Sequence, residues 1–190
     1  MSLAGILDTG AFRKGMKALF SEERIHNRVD ELGREISRDF LGKELILIGV
    51  LNGGFIFTAD LCRSIAIPHE IDFIGASSYG DGKESSGKIE YTKFLKRPIK
   101  GKSVLIVEDI VDTGRTLEFL VNDLMKHQPL SLKIAALFWK KEKANPHLHV
   151  DYFGFEIGDE YLVGYGLDHA GMYRNLPYVA SLEPNDSKDD

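Results

Sequence analysis

The sequence predicts an α/β protein, a central parallel sheet flanked by helices. Two observations carry this. Apolar runs of strand length, such as Leu45–Leu51 (LILIGVL), show no alternation, as expected of a strand buried on both faces. Segments with apolar residues at helical spacing stand between such runs. Strand–helix–strand therefore occurs twice, and right-handed crossovers then make the strands parallel. The length agrees: 190 residues suit one domain. Such a chain buries roughly 70% of its unfolded surface and needs no disulfide or structural metal to fold.

The elements follow in order. The first 20 residues are weakly patterned. Ser21 before Glu22 and Glu23 marks a helix start, because a hydroxyl caps the first amides and acids favour that end of the dipole. Ile25, Val29, Leu32, Ile36 and Phe40 recur at helical spacing, and Gly42 ends the helix. Leu45–Leu51 is the first strand. Gly53-Gly54 leads into an apolar helix over Phe55–Ile65, closed by Pro68. Ile71–Ser77 is the next strand. Gly80–Glu90 (GDGKESSGKIE) reads as a loop rich in Gly, Ser and charge. Ser103–Val107 is a strand. Thr113–His127 is a helix with Leu117, Leu120, Val121 and Leu124 on one face, and Pro129 prevents its continuation. Leu132–Trp139 is a strand, and shorter aromatic strands follow at Val150–Phe155 and Glu160–Tyr165. Pro184–Asp190 is a polar tail.

Composition excludes several functions. Lys and Arg number 24 against 29 Asp and Glu, a net charge of −5. Such a chain lacks the basic field that draws proteins to nucleic acid, so no nucleic-acid partner is expected. Apolar runs of about seven residues fall far short of the roughly 18 that span a membrane, so no membrane partner is expected either. The one cysteine, Cys62, excludes an internal disulfide and a multi-Cys zinc site, and is expected as a small core residue. No basic start followed by an apolar stretch is visible, so a cytoplasmic location is expected.

Ligands of parallel α/β sheets bind beyond the carboxyl ends of the strands. Three loops lie there on this reading: Asn52–Gly54, Glu108–Thr116 and the stretch after Trp139. The most informative segment is Val104–Thr116, VLIVEDIVDTGRT. Its apolar half carries the chain to the sheet edge, where Glu108 and Asp109 place two carboxylates. Asp112-Thr113-Gly114-Arg115-Thr116 then turns into a helix, whose first amides and dipole favour an anion. Gly114 permits close approach or an unusual dihedral, and Thr113 and Thr116 add hydroxyl donors. Together these form a phosphate cradle. The two acids would repel a phosphate. They suit ribose hydroxyls or a hard metal ion. Alone, such an acidic pair could simply open a loop with Asp112 as a helix cap. The thirteen-residue string is far more specific.

VLIVEDIVDTGRT resembles the phosphoribosyl-pyrophosphate (PRPP) motif of type I phosphoribosyltransferases. VLNGGFIFTADL at Val50–Leu61 is similar to the pyrophosphate loop of hypoxanthine-guanine phosphoribosyltransferases. Ser78-Tyr79 resembles the start of their flexible lid. Trp139-Lys140 and YLVGYGLDHAGMYRNLP at Tyr161–Pro177 resemble their base-recognition and C-terminal segments. The resemblance covers roughly residues 20–180. It implies the type I phosphoribosyltransferase fold as a single domain over 1–190, with a core at about 40–155. A small hood subdomain would come from about 1–35 and 156–183, and 184–190 would be a tail.

The resemblance also implies a reaction: ribose 5-phosphate passes from PRPP to N9 of hypoxanthine or guanine, giving IMP or GMP and pyrophosphate, with Mg²⁺. Glu108 and Asp109 would hold the ribose hydroxyls and Mg²⁺. Asp112, Thr113, Gly114, Arg115 and Thr116 would hold the 5′-phosphate, and Asp112 would be the general base that takes the N7 proton. Lys140 would donate to the purine 6-oxygen, which argues against adenine. Tyr161, where the family often has Phe, would stack on the base, and Leu162 would read it through its backbone. Asp168 would lie near the base and a second Mg²⁺. Leu51, Asn52, Gly53 and Arg174 would bind pyrophosphate, with a cis peptide at Leu51–Asn52 at least when ligand is bound. Asn52 departs from the pattern: many relatives carry lysine there, and its loss would weaken PRPP or pyrophosphate binding. Ser78 and Tyr79 would open a lid that excludes water. A homodimer or homotetramer is expected by the same resemblance. The competing reading is a regulatory nucleotide-binding protein on this fold, which the acidic balance and the complete set of catalytic matches disfavour. A generic nucleotide-binding protein is weaker still, since neither G-x-G-x-x-G nor a P-loop occurs.

Overall fold

The computed structural model describes residues 16–78 and 89–182. Strand β1 (Met16–Phe20) leads into helix α1 (Glu22–Asp39). The Ser21 hydroxyl accepts from the Arg24 N–H at 3.3 Å, and Glu22 and Glu23 fill the first turn. Ile25, Val29, Leu32 and Ile36 form the buried stripe of α1. Its outer edge is pinned to the sheet by Arg28, whose guanidinium donates to the carbonyls of Phe153 (2.8 Å) and Gly154 (3.1 Å).

The main sheet contains β2 (Leu45–Leu51), β3 (His69–Ser78), β4 (Ile89–Lys93), β5 (Ser103–Val111), β6 (Ser131–Trp139) and β7 (Tyr152–Glu156). Their order is β4-β3-β2-β5-β6-β7, with only β4 antiparallel to its neighbour. Helix α2 (Phe55–Ser64) packs with α1 on one face, and α3 (Arg115–Met125) covers the other. Along β2, Leu45 and Leu47 join Phe57 and Leu61 on the first face, while Ile46, Ile48 and Val50 join Leu117 and Leu120 on the second. Both sets are buried, which is why the run shows no alternation. Each such side chain contributes about 1.5–3 kcal/mol.

A second sheet, order β1-β9-β8, is antiparallel and joins β1 to β8 (Leu162–Val163) and β9 (Val179–Leu182). Phe20 anchors it to the main core, its ring 5.0 Å from Phe138 and 4.6 Å from Phe155.

Several elements differ from expectation. β1 lies in a stretch without pattern and β9 was not anticipated; they pair with each other, Met16 opposite Leu182, so no local signal announces either. β4 takes Ile89 and Glu90 out of the expected loop by pairing with β3. β5 runs to Val111 rather than Val107, because β6 keeps pairing (Val111 opposite Trp139) after β2 has stopped at Val107. α3 starts at Arg115 rather than Thr113, since Gly114 sits at φ +82°, outside helical space. β8 has only two residues where Glu160–Tyr165 was expected, and the chain turns at Gly164. Cys62 is only partly buried on α2, its thiol donating to the Ala59 carbonyl at 3.1 Å. Tyr79, most of the expected lid and the tail lie outside the described residues. Among the described residues, no helix is long and apolar enough to cross a membrane.

Candidate active site

The carboxyl ends of β2, β5 and β6 converge, and two adjoining cavities open there. The first, about 240 Å³, is walled by Leu51, Glu108, Asp109 and the loop Asp112–Thr116. The second, about 300 Å³, is walled by Gly53, Lys140, Tyr161, Leu162, Asp168 and Arg174. Asp109, Ile110 and Asp112 belong to both walls.

The first cavity has the makings of an anion site. The left-handed Gly114 turns the chain so that α3 starts at the cavity with no side-chain cap on its first amides. The left-handed dihedral at Gly114 favours glycine, while a Cβ there would lie 2.6 Å from Leu148 Cδ2 and require that methyl to shift. Glu118, the acid of that first turn, is held by the Asn145 amide.

Glu108 and Asp109 lie within β5 rather than in a loop, and are 8% and 7% exposed. Asp109 Oδ1 accepts the Ile110 N–H at 2.7 Å, and Glu108 Oε1 accepts the Asp109 N–H at 3.2 Å. Burial pushes the Glu108 carboxyl well above its usual range, and the neighbouring Asp109 charge adds to this. Burial also raises Asp109, against the hydrogen bonds from Glu108 and the Ile110 amide and the charge of Arg174. Two buried acids side by side fit hydroxyl donors or a hard cation. Among the described residues no cluster of three or more His, Cys, Asp or Glu could hold a metal. A cation here would complete its shell with water and substrate oxygens, the habit of Mg²⁺.

The peptide Leu51–Asn52 is cis. Gly53 then passes so close to Asp109 that a Cβ on it would lie 2.6 Å from the Asp109 Cγ. Asn52 is exposed and lines neither cavity.

In the second cavity Lys140 is 7% exposed, its Nζ 3.3 Å from Asp159 Oδ1. Tyr161 is half exposed; its hydroxyl donates to the Asp168 carbonyl at 3.2 Å, and the His169 ring meets it edge-on at 5.6 Å. Leu162 is buried in β8. The Asp168 carboxylate is engaged by Arg174 Nη2 at 2.6 Å and by the Gly171 N–H at 2.8 Å. Arg174 Nη1 also donates to the Gly166 carbonyl at 2.6 Å. In this arrangement Asp168 and Arg174 satisfy each other.

Thus the structure gathers every expected site residue at one sheet end except Asn52, which turns outward, and the lid pair. Of the lid pair, Ser78 is the last residue of β3. Two side chains escaped the sequence reading. Lys143 Nζ lies 3.0 Å from Asp112 Oδ1 and 2.9 Å from Asp159 Oδ1. Hydrogen bonds to Asp159 and then Asp112 raise the Lys143 pKa, while those from Lys143 and then Lys140 lower that of Asp159. Lys143 stands in the charged run Lys140-Lys141-Glu142-Lys143, and no spacing in the sequence links it to Asp112.

Residues 15–170 match the family model described as the phosphoribosyl transferase domain. Hypoxanthine phosphoribosyltransferase of Salmonella typhimurium is 43% identical over 169 residues, 88% of this chain and 95% of that protein. The crystal structure of a hypoxanthine phosphoribosyltransferase from Staphylococcus aureus superposes with a TM-score of 0.87 at 38% identity, covering 93% of this chain and 97% of that one. A hypoxanthine-guanine phosphoribosyltransferase from Bacillus anthracis gives 0.83 at 47% identity, covering 88% and 98%. With this much of both chains matched, and the matched segments meeting at one site, the protein belongs to the phosphoribosyltransferase family, among the hypoxanthine phosphoribosyltransferases.

Proposed function

We propose that the protein transfers the phosphoribosyl group of PRPP to N9 of hypoxanthine or guanine, releasing pyrophosphate and IMP or GMP, in purine salvage. The observation that carries this is the pair of cavities sharing Asp109, Ile110 and Asp112. A sugar phosphate and a planar base in adjoining cavities would meet at the shared wall, where C1′ and N9 must join.

Each residue has a task. The amides at the start of α3, with Thr113 and Thr116, hold the 5′-phosphate. Glu108 and Asp109 accept hydrogen bonds from the ribose diol and, with Asp168 once Arg174 releases it, offer oxygens to Mg²⁺. When bound, Mg²⁺ would neutralise charge on the departing pyrophosphate. Arg174 and the Leu51–Gly53 loop hold that pyrophosphate; a guanidinium suits it because its donors match paired oxygens. Lys140 donates to the 6-oxygen and has no acceptor to offer a 6-amino group. The Tyr161 ring covers the base. Asp112 takes the N7 proton as N9 attacks C1′, so that positive charge does not build on the purine.

The test is pyrophosphate release from PRPP and Mg²⁺ with hypoxanthine, guanine, xanthine and adenine in parallel. Turnover with the first two and none with adenine is expected. No product with any purine would refute the assignment. Light scattering on the same sample tests the expected dimer or tetramer, for which a monomer is the contrary result.

A further inference from the structure

Lys143 has no task in the scheme above, yet it touches one of its residues, Asp112, and reaches a second, Lys140, through Asp159. Its Nζ stands 3.0 Å from Oδ1 and 3.4 Å from Oδ2 of Asp112, and 2.9 Å from Oδ1 of Asp159. The same Asp159 oxygen lies 3.3 Å from Lys140 Nζ. The four side chains form one line, Asp112–Lys143–Asp159–Lys140, from the proton acceptor to the donor for the purine oxygen.

The backbone fixes this line. The Lys140 N–H donates to the Val111 carbonyl at 2.9 Å, and the Asn145 N–H to the Thr113 carbonyl at 3.0 Å. Within the turn, the N–H groups of Lys143 and Ala144 both donate to the Lys140 carbonyl. Lys143 is therefore presented to Asp112 by two strands and a closed turn.

Without the Lys143 ammonium, two things change. Asp112 loses the only cation beside its carboxylate among the described residues, and its side chain loses that restraint on rotation. Asp159, whose side chain is 78% exposed, keeps only Lys140 as a partner among the described residues. A full Asp159–Lys140 pair would compete with the purine 6-oxygen for the buried ammonium. As a contribution to stability an exposed ion pair is small. As a constraint on orientation beside a reacting base it matters far more, because a displacement of about 1 Å can cost 10²-fold in rate.

We propose that Lys143 is a positioning residue with two actions: it orients the Asp112 carboxylate for N7, and it draws Asp159 off Lys140 so that Lys140 can meet the 6-oxygen. The proposal rests on the roles given above to Asp112 and Lys140.

The experiment is steady-state kinetics on K143A, K143R and K143A/D159N, with D112N and K140A alongside and the melting midpoint of each recorded. K143A is expected to lower kcat about tenfold and raise the hypoxanthine KM about fivefold, with an unchanged midpoint. K143R should recover most of both. K143A/D159N should restore KM but not kcat, since it removes the competitor for Lys140 without supplying the clamp on Asp112. A K143A enzyme within about twofold of the parent on both constants overturns the proposal. So does a KM that stays high in the double variant. If D112N and K140A abolish turnover while K143A stays within about twofold of the parent, only this inference falls. If neither D112N nor K140A affects turnover, the assignments beneath it fail as well.

Discussion

Gly53→Ala tests the closest approach in the site. An added Cβ would stand 2.6 Å from Asp109 Cγ, closer still to Oδ2 and 3.1 Å from Oδ1. Carbon atoms pack at about 3.5–4.0 Å, so the carboxylate or the loop must move by about 1 Å. Asp109 has little room to yield, being 7% exposed and bonded to the Ile110 N–H. The backbone at Gly53 has no positive φ, so alanine is hindered by contact alone. Overpacking of this kind costs about 1–3 kcal/mol, which for a chain of this length lowers the melting midpoint by roughly 2–12 °C. The effect on rate should be larger, because the displaced group is the one at which both cavities meet. A loss of about 10²-fold in kcat/KM is expected in a pyrophosphate-release assay with PRPP and hypoxanthine. An alanine variant within about threefold of the parent would show that the Asp109–Gly53 contact does not position the diol-binding acid, and the reasoning would be wrong.

Asp112→Asn should lower kcat by about 10²–10⁴ with little change in KM, read in the same assay; unchanged kcat would remove the general base from the scheme. Chelating divalent cations with EDTA should reduce turnover to about 1% or less, and added Mg²⁺ should restore it, whereas full turnover in EDTA would refute a metal at Glu108 and Asp109. Asp72 provides a pH test. Burial acts to raise its pKa, but the N–H groups of Phe73, Lys96 and Arg97 and the ammonium of Lys93 more than offset this and leave it below 3.8. A lowered native pKa gives stability that is present above the unfolded value, near pH 4, and is lost as pH falls through the native one. Denaturant titrations of Asp72→Asn should show about 1–3 kcal/mol less stability at pH 7, and a difference from the parent that shrinks below pH 4. A gap that stays constant with pH would contradict this.

The parallel core was legible because its signal is local. In Leu45–Leu51 and Val104–Val107 every side chain is apolar, since helices lie on both faces of the sheet. The turn that opens α3 at the first cavity was legible because Gly114 and its flanking residues lie side by side in the chain. The second sheet was not. β1 and β9 pair residues such as Met16 and Leu182, which share no sequence neighbourhood. Lys143 and Asp159 escaped for the same reason, since only the fold brings Lys143 to Asp112 and Asp159 to Lys143. The Asp168–Arg174 pair reflects a different limit. Both residues were expected at the site, but their binding to each other belongs to the state of the site and not to its composition.

The two backbone bonds between the loop after β5 and the turn after β6 act as a caliper. Val111 to Lys140 and Thr113 to Asn145 hold the Asp112–Thr116 loop and Lys140 at one fixed spacing. On the proposed function, one sugar would sit between the anion and the base across that gap. On the proposed assignment, a nucleotide with a longer 5′ chain or a base extended at its 6-position should fit this fixed spacing less well than the unmodified one.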